Sequence, residues 1–179
     1  ADQYGFDQAM AHYARGLAFA ATGEPDKADK ELRRFKDLQG SAPVKSMDNP
    51  YFPGTQILAV GEQVLSGKIA AARGLTNDMV SHMRKAVAAA DELPYMEPPY
   101  WYYSAKLSLG AALLKAAHAG EAEKMFREDL KEFPDCGWPL FGLWQSLRAQ
   151  GKAQEAQEVS RQFKKAWSRA DVDLNLDWF

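Results

Sequence analysis

The side chains best suited to bind a metal or to serve as nucleophile and base are few and far apart: His12, His82, His118 and the single cysteine, Cys136. There is no His-x-x-x-His or His-Glu-x-x-His pair and no second cysteine beside Cys136, so no local metal frame forms. Nor is there a glycine-rich phosphate loop of the P-loop or dinucleotide type. Glu121, Glu123, Glu128 and Asp129 share a stretch rich in Lys and Arg, the pattern of a solvated amphipathic face. Near the end, Asp171-x-Asp173-x-Asn175-x-Asp177 has the spacing that opens a calcium loop. The sixth position, where the sharp turn needs Gly, holds Leu176, and the sequence stops before a bidentate Glu. These residues converge on no reaction, so the expectation is a non-catalytic chain with no cofactor and no metal.

Composition points the same way. The 179 residues carry a net charge of −2 and a pI near 6.0, so no global field favours nucleic acid. Between Phe141 and Ala170 basic residues exceed acidic ones, but Asp171, Asp173 and Asp177 nearly cancel the excess. One cysteine rules out an intramolecular disulfide framework and leaves the compartment undecided. No apolar stretch reaches the ~20 residues a membrane span requires. The chain begins inside a predicted helix without an initiating Met, as a mature or excised fragment would.

Good helix formers dominate most of the sequence, predicting helices over 4–21, 25–38, 55–73, 76–92, 99–117, 120–133, 137–150 and 153–169. The spacing inside them repeats. Lys106-x-x-Leu109-Gly110-x-x-Leu113, then Ala122-x-x-x-Phe126, then Pro134, alternates large and small positions over a helix pair. Thirty-four residues after Ala117, Ala122, Phe126 and Pro134 stand Gly151, Ala156, Ser160 and Ser168, of which the first two keep the pattern and the last two do not. Gly16, Phe19, Gly23, Ala28 and Leu32 match near the start, and Gly67, Gly74, Met79, Met83 and Ala86 form a weaker copy. The turn positions are then Gly23, Gly74, Ala117 and Gly151; a glycine there offers the positive φ an inter-helix turn needs. Their unequal separations place two loop insertions, at about 40–54 (GSAPVKSMDNPYFPG) and about 94–101, the latter within PYMEPPYWYY.

These residues resemble the tetratricopeptide superfamily, most clearly from Trp101 to Asp171, and are similar to the C-terminal part of long bacterial proteins of that class. The resemblance implies an all-α, right-handed α-solenoid of about four helix-turn-helix units (9–40, 59–92, 103–136 and 137–170). Residues 1–170 then form the repeat domain and 171–179 an extended C-terminal tail. It also implies a concave face that holds a peptide or another protein. The carboxylate clamp of chaperone-binding members is missing, since Tyr13, Leu17, Ser104 and Ser108 stand at its positions.

The same register assigns the concave lining to leading helices: Met10, Tyr13 and Leu17, then Val64 and Lys68, then Leu107, Leu114 and Lys115, then Trp138, Phe141, Gln145 and Arg148. Such a groove is apolar with cations spaced along it, suited to an extended or amphipathic segment bearing acidic groups. Trp101 and Tyr102 head an aromatic run that either anchors a partner or folds back over the convex side, burial being the ordinary outcome. Trp178 and Phe179 close the tail, in which Val172, Leu174, Leu176 and Trp178 alternate with polar residues as in an extended segment. That tail would cap the last unit or enter the groove of a second copy, making self-assembly the alternative to peptide binding. A third expectation is an accessory domain of a larger enzyme or transport system.

Overall fold

The structure, a computed structural model, describes residues 4–179, and among them the regular secondary structure is helical throughout. The helices are α1 (Gly5–Ala21), α2 (Pro25–Gln39), the single-turn α3 (Ala42–Lys45), α4 (Gly54–Ala72), α5 (Thr76–Asp91), α6 (Ala105–Lys115), α7 (Ala119–Glu132), α8 (Gly137–Ala149) and α9 (Ala153–Ala166). A 3-10 turn, Leu176–Trp178, follows. The chain divides into two compact units, Ala1–Ala105 and Lys106–Phe179. No described helix is long and apolar enough to cross a membrane.

Four hairpins, α1/α2, α4/α5, α6/α7 and α8/α9, close with the same backbone device. Gly23, Gly74, Ala117 and Gly151 have φ of 75°, 72°, 62° and 71°. After each, the next amide donates back to the carbonyl five residues earlier: Glu24 to Phe19 (2.8 Å), Leu75 to Ala70 (2.9 Å), His118 to Leu113 (2.8 Å) and Lys152 to Leu147 (3.0 Å). The left-handed residue itself donates to Ala20, Ala71, Leu114 and Arg148. This pair of bonds is the Schellman motif, which satisfies carbonyls that a helix end would otherwise leave without partners. Ala117 takes the left-handed conformation in spite of its Cβ, so the turn geometry is held by more than glycine's freedom.

Packing between the helices recurs at fixed distances from those turns. Five residues beyond each stand Ala28, Met79, Ala122 and Ala156, all buried. Seven residues before the second and third turns stand Gly67 and Gly110; nine residues after stand Met83 and Phe126. A Cβ built on Gly67 would lie 2.7 Å from Met83 Cε, and one on Gly110 would lie 2.5 Å from Phe126 Cζ. The missing side chain is what lets each pair of helices approach around its large partner. Phe126 is gripped from two sides, because a Cβ on Gly142 of α8 would lie 2.3 Å from the same ring.

In the first unit, α1 packs on α2 and α4, and α4 packs on α5. Its core has three parts: Ala9, Phe35, Val44 and Leu58; then Ala20, Ala28, Leu65 and Ile69; then Val60, Ala86 and Ala105. Polar pairs join neighbouring helices: His12 with Glu31 (2.6 Å), both largely covered, and Lys36 with Glu62 (2.9 Å), while Arg73 meets both Asp26 and Asp29. A solvent-facing pair such as Arg73 with Asp26 adds at most about 1 kcal/mol.

The expected helix positions hold with three differences. The fifth long helix was expected from 99 and begins at Ala105. Residues 92–104 are instead spent on individual side-chain anchors: Trp101 Nε1 donates to the Ile57 carbonyl at 3.0 Å and the Tyr100 hydroxyl donates to the Tyr51 carbonyl at 2.6 Å. The first insertion is not wholly loop, because α3 forms inside it and buries Val44 against Phe35 and Leu58. Residues 171–179 are not extended throughout, since the Asn175 side chain accepts from the Asp177 amide (3.0 Å) and starts the 3-10 turn.

In the second unit α7 packs on α8 and α8 on α9. Their polar junction centres on Glu123, which accepts from Arg127 (2.8 Å), Gln150 (2.7 Å) and Lys152 (2.7 Å) and is only 13% exposed. Burial pushes its carboxyl up, but the bonds from Lys152, Gln150 and Arg127 outweigh burial and hold it at about 2, against an ordinary 4.5. The folded state thus binds this proton less readily than the unfolded chain. The stabilisation is fully present above pH 4.5 and is lost as pH falls toward 2. The stability gap between the parent and Glu123→Gln, measured by urea unfolding, should therefore shrink steadily from pH 5 to pH 2.

Candidate interaction site

The second unit gathers seven aromatic rings from three helices and the closing segment. Phe163 stacks on Trp144 (6.0 Å, 21°) and on Trp167 (6.0 Å, 22°), while Phe141 meets Phe163 at 5.4 Å and Trp138 meets Trp167 at 5.7 Å. Phe126 and Phe179 complete the set. Phe163 of α9 and Trp167, the residue capping its end, lie four apart, as do Phe141 and Gln145 on α8, so one helix face presents each pair. Gly137 makes room for the cluster, since a Cβ there would sit 2.3 Å from Trp167 Cε3.

The closing segment is seated on this surface. Phe179 is 2% exposed and packs against Trp138 (5.2 Å), Phe141 (6.0 Å) and Phe126 (6.3 Å). Asp177 Oδ1 lies 2.6 Å from Lys115 Nζ at the end of α6, and Trp167 Nε1 donates to the Val172 carbonyl at 2.7 Å. Leu174 is buried as well. An acidic group two residues before an aromatic one thus spans from a lysine to an aromatic pocket.

Among the residues expected to line a groove, Trp138 and Phe141 meet around Phe179, and Lys115 pairs with Asp177 two residues before it. Gln145 and Arg148 continue the α8 face beyond Phe141; Arg148 is exposed, lies 5.3 Å over the Trp144 ring and donates to Gln145 (3.3 Å). Leu107 is buried and Leu114 half-buried in α6, a helix hydrophobic on almost every face. Trp178 points outward and is half-exposed. Residue types alone do not mark Phe126 as a wall of the Phe179 pocket or Phe163 and Trp167 as the rings backing Phe141 and Trp138, although the four-residue spacing of the last two is a visible sign of a shared face.

In the first unit, the expected lining residues take a different place. Tyr13 packs edge-on against Trp101 (5.2 Å) and tilted against Phe35 (6.1 Å), and burial pushes its hydroxyl well above the ordinary tyrosine value. Met10 and Leu17 are half-buried within the core clusters of α1, α2 and α4, and Val64 joins the cluster around Val60 and Trp101. Lys68 is half-buried on α4. Gly61 leaves a notch in α4, where a Cβ would lie 2.9 Å from the indole, and Trp101 fills it beside Tyr13.

The two insertions of this unit also meet. Phe52 packs on Tyr100 (6.3 Å), and a shallow hollow of about 390 Å³ is lined by Asp48, Asn49, Pro50, Pro53, Gln56 and Pro94. Asp48 has both oxygens engaged by Thr55, through its amide (2.8 Å) and hydroxyl (2.6 Å). Tyr51, Tyr95 and Tyr102 surround the insertions at the surface, Tyr102 being 96% exposed.

The histidines are held by neighbours on helices. His12 pairs with Glu31, His82 Nδ1 lies 2.9 Å from Gln63, and His118 lies 3.1 Å from Glu121. Among the described residues no three His, Cys, Asp or Glu side chains stand together as metal ligands. Burial lowers the His82 imidazole and raises the Cys136 thiol from their ordinary values, so both favour the neutral form. No protein-family model, curated protein or solved structure matches this chain.

Proposed function

We propose that this chain is a non-catalytic protein-interaction module built from tetratricopeptide-like helix hairpins of an α-solenoid kind. The recurrence of the Schellman turn and of the small-against-large pairs at fixed offsets supports that repeat reading. The binding face is that of Lys115, Trp138, Phe141, Gln145 and Arg148, and its ligand is an extended peptide or protein segment.

One observation carries the proposal: residues 172–179 lie on this face with an acid on a lysine and a phenyl ring in an aromatic pocket. A surface that seats one short segment in this way has the features of peptide recognition, namely a rigid helical frame, one apolar anchor and peripheral charge. Because the frame is already ordered, a ligand loses its own freedom while the receptor loses little.

Selection of a displayed peptide library on the full chain tests this. Peptides bearing acidic and aromatic residues should be enriched, and Lys115→Glu with Arg148→Glu should weaken their binding at least tenfold while helical circular dichroism stays unchanged. Failure to enrich any peptide, or binding indifferent to both charge reversals, would contradict the proposed face.

A further inference from the structure

Residues 172–179 occupy the very face that would receive a partner, anchored there by the Phe179 ring, the Asp177–Lys115 pair and the bond from Trp167 to the Val172 carbonyl. Of these eight residues only Leu174 and Phe179 are buried. The Lys115–Asp177 pair is exposed on both sides, at 42% and 66%, so water and salt screen it. Residues 168–171, which connect α9 to the seated part, are all exposed. Segments with few buried groups lie toward the low-stability end of a fold, where local opening precedes global unfolding.

We propose that residues 172–179 are a built-in competitor: they close the α6–α8 face and are displaced by a partner segment that carries an acidic residue two positions before an aromatic one. This rests on the reading of that face as a peptide site. The chemistry of the ligand is argued from the segment already seated there, whose Asp177-x-Phe179 pattern matches a lysine and a ring pocket. The tether gives the built-in segment a millimolar effective concentration, so a competing ligand must make contacts that the segment does not provide. Gln145 and Arg148 supply that opportunity, one and two turns along α8 from Phe141 on the same face. The closed segment thereby sets a threshold, rejecting weak acidic-aromatic peptides and admitting longer or more acidic ones.

The test uses full chains and a labelled synthetic peptide of residues 170–179. The double variant Asp177→Ala, Phe179→Ala should bind this peptide at least tenfold more tightly than the parent chain, and adding Lys115→Glu should abolish the gain. Equal affinity for parent and double variant would overturn the competitor, as would a well-folded double variant that binds no peptide. If the double variant loses its helical circular dichroism, the parent answers instead. Millimolar peptide must then accelerate amide hydrogen exchange at residues 172–179, and unchanged exchange overturns the proposal. Library peptides that depend on Lys115 yet bind parent and double variant equally would leave the peptide site standing and remove only the competition.

Discussion

Phe126→Ala should destabilise the second unit by about 3–5 kcal/mol, the range for emptying a fully buried aromatic site. The ring fills the space between Gly110 and Gly142, so its removal leaves a cavity bounded by two helices that have no side chains there to collapse inward. Phe179 loses one wall of its pocket at the same time. Four of the five tryptophans, Trp138, Trp144, Trp167 and Trp178, lie in this unit, so indole fluorescence during urea unfolding reports on it directly. At ~2 kcal/mol per molar urea, the midpoint should fall by roughly 2 M. Phe126→Leu, which keeps most of the volume, should lie between the parent and the alanine variant. A shift below ~0.5 M for Phe126→Ala would mean that this contact does not hold α6, α7 and α8 together.

Trp101→Ala should have the second largest effect, about 2–4 kcal/mol in the first unit. Three interactions disappear together: the indole in the Gly61 notch, the edge contact with Tyr13 at 5.2 Å, and the donated bond to the Ile57 carbonyl at 3.0 Å. Trp101→Phe retains a ring and gives up the hydrogen bond, so it should lose less, nearer 1–2 kcal/mol. Far-ultraviolet circular dichroism during urea unfolding measures both variants without relying on indole emission. An alanine variant within ~0.5 kcal/mol of the parent would show that the indole is not seated in α4.

Much of the helical frame was legible because turn and packing positions follow local rules. Gly23, Gly74 and Gly151 announce left-handed turns, and Ala117 could be placed only by its distance from Ala122 and Phe126. The late start of α6 was not legible: Tyr100 and Trp101 leave the helix for partners, Tyr51 and Ile57, that are distant in sequence. Nor does residue type reveal which side of a helix lies open. Tyr13 and Phe141 were expected on an open groove, yet one is packed beneath Trp101 and the other beneath Phe179. In each unit a segment from outside the paired helices covers a face that spacing alone leaves bare, and only tertiary packing decides that.

Nuclear Overhauser contacts of the Phe179 ring give the most direct measurement. With selectively labelled phenylalanine in the full chain, its protons should show contacts to Trp138 and Phe141 and upfield shifts from the surrounding rings. Sharp, random-coil Phe179 signals without those contacts would contradict a segment seated on α8, and with it the acidic-aromatic recognition drawn from its position.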